Sequence, residues 1–406
     1  MTGPVDRGPG VPGGPRSAPG SGGEVADEAT RWRAQFSDFG GRSYLDCAAQ
    51  GPFPQETAEE VRRALRLKEH PEEIPDTLFE ELPARARAAV ARLIGCNPAS
   101  IALGPGASHG LNLAARGLPL RRGDEALVSQ GEFPAVLYPW LNLEADGVAT
   151  RLVAPASGRI VDAATLVGAI GPRTRVIAVS LVAFSTGYRV DLQAIAAACR
   201  EREIFLVVDG AQGIGALDFR VADDPIDVLA VSGYKWLLGP YGSGFTYVSP
   251  RVLERLRVPD ANWLVIESAR HLNRRSDPAL KFSEGARRFD APETASFLNL
   301  SALIASVEFV NRVRPPTIES HARRLLDRLL QGIETTRLRA ASDLEPARRS
   351  TILSFEGPTL DDTRTIFRRL REKGVVVALR DNLIRVSPNI YNTPDDVARF
   401  LAAAAG

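Results

Sequence analysis

From about Ala99 onward, short apolar runs alternate with helical patterns. SIALGPG, DEALVSQG, TRVIAVSLVAF, EIFLVVDGAQ and DVLAVSGYK are strand-like, and each ends in small or polar residues. Helical stretches such as DLQAIAAACRERE lie between several of them. This alternation predicts a largely parallel sheet with helices on both faces. Ligands of such sheets bind beyond the carboxyl ends of the strands. From about Leu298 the texture changes: ASVEFVNRV, HARRLLDRLLQGIETT and LDDTRTIFRRLREKG read as amphipathic helices, and STILSFEG, GVVVALR and NLIRVSPNIY as short strands. That predicts a smaller α+β piece. The expected organisation is a tail over 1–27, a large domain over 28–295 and a small domain over 296–406.

The tail is Gly/Pro/Ser-rich and is expected to be disordered, because it cannot bury enough apolar surface to offset ordering. It lacks the apolar core of a secretory signal. The chain of 406 residues is 44% hydrophobic, ample for a large core, and its formal net charge of +1 argues against a nucleic-acid groove or a polybasic membrane surface. No apolar run reaches the roughly 18 residues that suggest a membrane span. The three cysteines, Cys47, Cys96 and Cys199, form no CxxC pair, and the four histidines are not spaced as metal ligands. A disulfide framework and a metal site are not expected, and a cytoplasmic location is.

The unusual residues sit at the strand ends. Ile101–Leu103 leads into GPGASHGLNLAARG, a strand, Gly-rich turn and helix whose free amides suit an anion, with Ser108 adding a hydroxyl. Taken alone this is an ordinary strand-to-helix turn. Phe133, in LVSQGEFPAVLYPW, could stack on a flat ligand, although an aromatic there is more often core. Asp209 closes an apolar run, where a carboxylate is costly unless paired; it caps a helix or meets a cationic ring nitrogen. Gln212 lies three residues on. Lys235 follows the next strand between Tyr234 and Trp236, with Ser232 three residues before it. An amine nucleophile must be neutral, and an apolar setting lowers its pKa. Together these residues ask for a phosphate, a flat ring, a ring nitrogen and an aldehyde. Pyridoxal 5′-phosphate has all four, and its ring serves as an electron sink for charge at Cα of an amino acid.

The chain resembles the class V aminotransferase superfamily of fold-type-I pyridoxal-phosphate enzymes, the branch with cysteine desulfurases, selenocysteine lyases and isopenicillin N epimerase. YLDCAAQGP, VSQGEFPAVLYPW, VVDGAQ, SGYKWLLGPYGSG and IRVSPNIYNTPDDV carry the likeness, which spans about Arg42 to Ala404. The resemblance implies a large domain with a mostly parallel mixed sheet and a smaller C-terminal α+β domain. It implies that Lys235 is the Schiff-base lysine, that Asp209 pairs with the pyridine nitrogen, and that Gln212 meets the phenolic oxygen. Ser108 and Ser232 match phosphate ligands, and Ala107, Phe133, Tyr234 and Thr294 also border the cofactor. Arg385 takes the substrate carboxylate, with the backbone near Ala48, in the segment 28–50, beside it. A homodimer with shared sites is implied, the loop Arg288 to Thr294 reaching across.

Three departures matter. Tyr234 and Phe133 stand where desulfurases carry histidines, which removes an imidazole acid/base. No cysteine follows Cys199, so the late loop GVVVALRDN offers no persulfide-forming thiol. Phe184 stands where an asparagine is usual. The expected activity is action at Cα of an amino acid through an external aldimine, of aminotransferase type, with β-elimination of a sulfur or selenium substituent, or epimerisation, as alternatives. A non-enzymatic regulatory protein would need a fused DNA-binding module or a lost lysine, and a dehydrogenase would need a GxGxxG after the first strand. Neither pattern is present.

Overall fold

The computed structural model describes residues 30–267, 280–294 and 296–406. The segment 1–27 lies outside them. Seven strands form the main sheet: β1 (Ile101–Gly104), β2 (Glu125–Ser129), β3 (Ala149–Val153), β4 (Thr174–Ser180), β5 (Phe205–Asp209), β6 (Val228–Ser232) and β7 (Gly244–Val248). Their order is β1-β7-β6-β5-β4-β2-β3. Only β7 runs antiparallel to its neighbours, so the sheet is mixed but mostly parallel, as expected. β5 and β6 are buried along their whole length. That is why FLVVD and VLAVS read as continuous apolar runs rather than alternating ones. Apolar layers cover both faces, Leu206, Val208 and Leu229 in one and Val207, Val228 and Ala230 in the other.

Register aligns the carboxyl ends. Ser180 pairs with Asp209, Asp209 with Ala230, and Ser232 with Gly244. β1 enters the helix α1 (Ala107–Gly117) through Gly106, whose φ of 146° suits glycine and whose added Cβ would meet Ser232 Oγ at 3.1 Å.

A four-stranded antiparallel sheet follows: β8 (Arg339–Ala340), β9 (Leu353–Glu356), β10 (Ala378–Arg380) and β11 (Leu383–Val386), in the order β10-β11-β9-β8. Leu325, Leu329, Leu353, Phe355, Ile384 and Phe400 build its apolar cluster. The helix α2 (Phe297–Val313), assigned to the C-terminal piece on its pattern, packs instead into the large core through Leu303, Val307, Phe309 and Val310.

The N-terminal segment joins the two parts. Ser43–Tyr44 pairs in parallel with Val375–Val376, and Asp46 bridges to Ser387. Leu45 enters the C-terminal cluster. On the other side Gly51 N–H donates to Tyr234 O at 2.8 Å. A Cβ on Gly51 would meet Lys235 O at 2.0 Å, so only glycine allows this approach. Among the described residues no helix is long and apolar enough to cross a membrane, and no group of three or more His, Cys, Asp and Glu is placed to hold a metal ion.

Candidate active site

The chain has four lysines, Lys68, Lys235, Lys281 and Lys373, and only Lys235 is buried, at 8% exposure. Its Nζ lies 5.5 Å from the centre of the Phe133 ring and 5.6 Å from that of Tyr234. It makes no hydrogen bond or ion pair among the described residues. Burial lowers its pKa; Asp209 opposes this, and Arg385 and Arg380 add to it. A lysine biased toward the neutral amine is what nucleophilic attack and proton abstraction require.

Asp209, at the end of β5, is buried and has one hydrogen bond, from Ala211 N–H to Oδ1 at 2.8 Å. Burial raises its pKa, with Lys235 and the Ala211 amide acting the other way. It is a carboxylate awaiting a cation. At the end of β6, Ser232 Oγ accepts the Ala107 N–H at 3.0 Å, so the serine and the start of α1 form one cradle. Ser108, next in the helix, is exposed and lines an open hollow with Phe133, Asn112 and Tyr138. Phe133 is 40% exposed and meets Phe184 edge-on at 5.4 Å. Tyr234 is half-buried against Tyr241, their ring centres 4.7 Å apart.

These residues fit pyridoxal phosphate. The unpartnered buried amine of Lys235, the uncompensated carboxylate of Asp209 and the Gly106–Ser232 cradle are the complement of its aldehyde, ring nitrogen and phosphate. Gln212 is held for a similar place: its Oε1 accepts from Trp236 Nε1 at 2.9 Å and its Nε2 donates to Ala48 O at 3.0 Å. Ala48 N–H donates to Ser387 Oγ at 3.0 Å. Both peptide groups of Ala48 are thus engaged, as buried backbone must be.

Arg385, on β11, is 2% exposed. Nη1 donates to Phe184 O at 2.9 Å and Nη2 to Asp46 Oδ1 at 3.1 Å, while Nε is buried without a partner among the described residues. A buried donor left unpaired costs about 1–3 kcal/mol. The open Nε edge of a planar fork is a place for a carboxylate. Thr294 follows a turn anchored through Asp290, which accepts from Leu103 N–H at 2.9 Å and pairs with Arg87. Thr294 Oγ1 is buried with no hydrogen-bond partner among the described residues.

Two residues at the site were not singled out from sequence. Asp46 is the partner of Arg385; its place inside YLDCAAQGP, beside Ala48, was the available signal. Glu132 precedes Phe133 and accepts from Ser180 N–H at 2.8 Å and from Ser180 Oγ. It therefore ties the Phe133 loop to the strand beside Asp209. It has no ion pair among the described residues, and burial raises its pKa to about 7, with the Ser180 bonds opposing. The folded chain then holds a proton that the unfolded chain releases, so this group's contribution to stability falls as pH rises from about 4.5 to about 7. At about 1.36 kcal/mol per unit, and allowing for a residue that is only half-buried, the loss is about 1–3 kcal/mol. Glu132→Gln should flatten that part of the pH profile of the urea midpoint. Parallel profiles for the two proteins would refute the assignment.

Cys47 accepts from Asn389 Nδ2 at 3.1 Å, is fully buried, and has a pKa raised to about 12, chiefly by burial. It is a packed thiol rather than a nucleophile.

The family model described as aminotransferase class V matches residues 43–400. An isopenicillin N epimerase of Streptomyces clavuligerus is 29% identical over 88% of this chain and 93% of its own length. A probable cysteine desulfurase of Pseudomonas putida is 30% identical over 92% of this chain and 96% of its own. Among solved structures, a cystine C–S lyase in complex with cysteine persulfide superposes with a TM-score of 0.83, at 23% identity, covering 91% of this chain and 99% of its own. The fold is the expected fold-type-I arrangement.

Proposed function

The chain belongs to the class V aminotransferase family and is a pyridoxal-phosphate-dependent enzyme, and we propose that its reaction on an amino acid is of aminotransferase type, with Lys235 moving the Cα proton. The observation that carries this is the single buried lysine, its amine without a hydrogen bond among the described residues, between two aromatic rings and near the Asp209 carboxylate. When bound, the cofactor supplies a carbonyl for the substrate amine and an electron sink for charge at Cα. Asp209 would hold the ring nitrogen protonated, and Phe133 would stack on the ring. Arg385 offers its free Nε edge to the substrate carboxylate, which fixes the Cα–H bond relative to Lys235 Nζ.

β-Elimination of a sulfur or selenium substituent and epimerisation share that first proton transfer. The epimerase relative supports the second of these. A persulfide route has no support, since no cysteine follows Cys199 and Cys47 is packed. A panel of amino acids assayed together for keto acid, ammonia, sulfide and the opposite enantiomer separates these outcomes. Keto acid formed with a second keto acid as acceptor is the expected result. Enantiomer conversion without keto acid would replace transamination by epimerisation.

The enzyme is further read as a cytoplasmic homodimer with shared sites. The Thr294 hydroxyl has no hydrogen-bond partner among the described residues, and in this reading the loop 288–294 completes the partner's site. A fully active monomer in sedimentation at low concentration would contradict this.

A further inference from the structure

Asp46 and Arg385 form a buried pair whose charges cancel before any substrate arrives. Arg385 is 2% exposed and Asp46 8%. Nη2 donates to Asp46 Oδ1 at 3.1 Å, and the Asp46 carboxylate has no other hydrogen bond or ion pair among the described residues. Its Oδ2 is therefore open. The carbonyl of Phe184 holds Nη1 at 2.9 Å, which leaves the buried Nε as the donor of the fork without a partner among the described residues. Nε and Nη2 lie on one edge of the guanidinium. A carboxylate that binds in bidentate fashion through Nε thus meets the nitrogen that Asp46 already uses.

Two carboxylates on one nitrogen lie within the roughly 4–6 Å at which a neighbouring charge shifts a carboxyl's protonation. One guanidinium neutralises only one of them, and a buried carboxylate left uncompensated is costly. Two carboxyl groups so placed hold one proton between them more readily than they hold two charges. The other groups around Asp46 offer no alternative home for that proton. Tyr44 and Cys47, on its own segment, and Tyr391 already hold theirs, chiefly because burial raises their pKa values. Burial also raises the pKa of Asp46; Arg385, Arg380 and Arg371 oppose this, and of the three only Arg385 bonds to it among the described residues.

We propose that the substrate's α-carboxylate and Asp46 share the Arg385 fork, and that Asp46 takes one proton from solvent as that carboxylate binds. The inference rests on Arg385 taking the α-carboxylate, as argued above. Binding then adds no net charge to the buried site. Asp46 in the complex holds its proton more tightly than Asp46 in the free enzyme. Affinity for a carboxylate therefore falls as pH rises, by up to about tenfold per unit, from the point where free Asp46 ionises to the point where the complex does.

Calorimetric titration of the cofactor-loaded full chain with propionate, a carboxylate with no amine to react with the cofactor, reads this without turnover. Titrations from about pH 5.5 to about pH 9 stay above the probe's own ionisation. Repeating each in two buffers of different ionisation enthalpy counts the protons taken up. The wild type should take up as much as about one proton per propionate over part of this range, and lose affinity as pH rises through it. Asp46→Asn keeps an oxygen for Nη2 but carries no charge. It should take up no proton, and at the alkaline end it should bind propionate about tenfold or more tightly than the wild type. A wild type that takes up no proton at any pH overturns the proposal, whether or not the variant folds. Equal uptake by the two proteins overturns it as well. Arg385→Ala tests the reading beneath: if it binds propionate as the wild type does, the carboxylate is held elsewhere and the proposal falls with that reading. If it abolishes binding while Asp46→Asn still takes up the wild-type proton, the role of Asp46 alone is wrong.

Discussion

Lys235→Ala is expected to lower turnover by at least about 10³-fold while leaving the chain folded. General acid–base catalysis by one positioned group contributes about 10²–10⁴-fold. Here the same group also makes the covalent link to the cofactor, so both contributions are lost together. Stability should not fall, because the replaced amine is buried without a hydrogen bond or ion pair among the described residues. Removing it relieves a desolvated cation rather than breaking a contact. Borohydride reduction of the wild type followed by peptide mass mapping should place the pyridoxyl group on Lys235. The other three lysines, Lys68, Lys281 and Lys373, are exposed. Label on any of them would remove Lys235 from the centre of the site.

Arg385→Ala is the second large effect, and its interpretation depends on Asp46. Truncating one partner of a buried charged contact costs about 2–5 kcal/mol, or about 30- to 5000-fold in kcat/KM. Part of any loss would come from folding, since Asp46 would be left buried without its hydrogen-bonded cation. Arg385→Ala combined with Asp46→Asn separates the two, because it removes the stranded charge. The double variant should recover thermal stability but not turnover. The cofactor's absorption band should persist in both variants, as Arg385 does not border the ring in this reading. Arg385→Lys should recover only a fraction, because an ammonium cannot reproduce the planar fork. The comparison of an amino acid with its decarboxylated amine is the sharpest form of the test. The wild type should prefer the acid strongly, and the variant should lose that preference. Equal handling by the wild type would mean that Arg385 serves structure alone.

The strand ends were legible in the sequence because burial writes itself into composition. FLVVD and VLAVS are apolar throughout, so the polar residues that close them, Asp209 and Ser232, stand out, and Lys235 stands just beyond. The parallel register then brings those ends together without further information. What was not legible is pairing across the chain. Asp46 and Arg385 are 339 residues apart, and nothing local to either marks the other. Nothing local marks Glu132 either, since its acceptor role depends on where Ser180 ends its strand. The amphipathic pattern of Phe297–Val313 announced a buried face but not what buries it, and the face belongs to the large core.

The central claim is that Lys235 moves the Cα proton of an amino acid held by Arg385. Incubating the cofactor-loaded enzyme in D₂O with candidate amino acids, and following loss of the Cα proton by NMR, tests it before any later step is chosen. Exchange should occur with at least one amino acid, and should vanish in Lys235→Ala. Exchange that persists at the wild-type rate in Lys235→Ala would contradict the account, as would its absence across the whole panel.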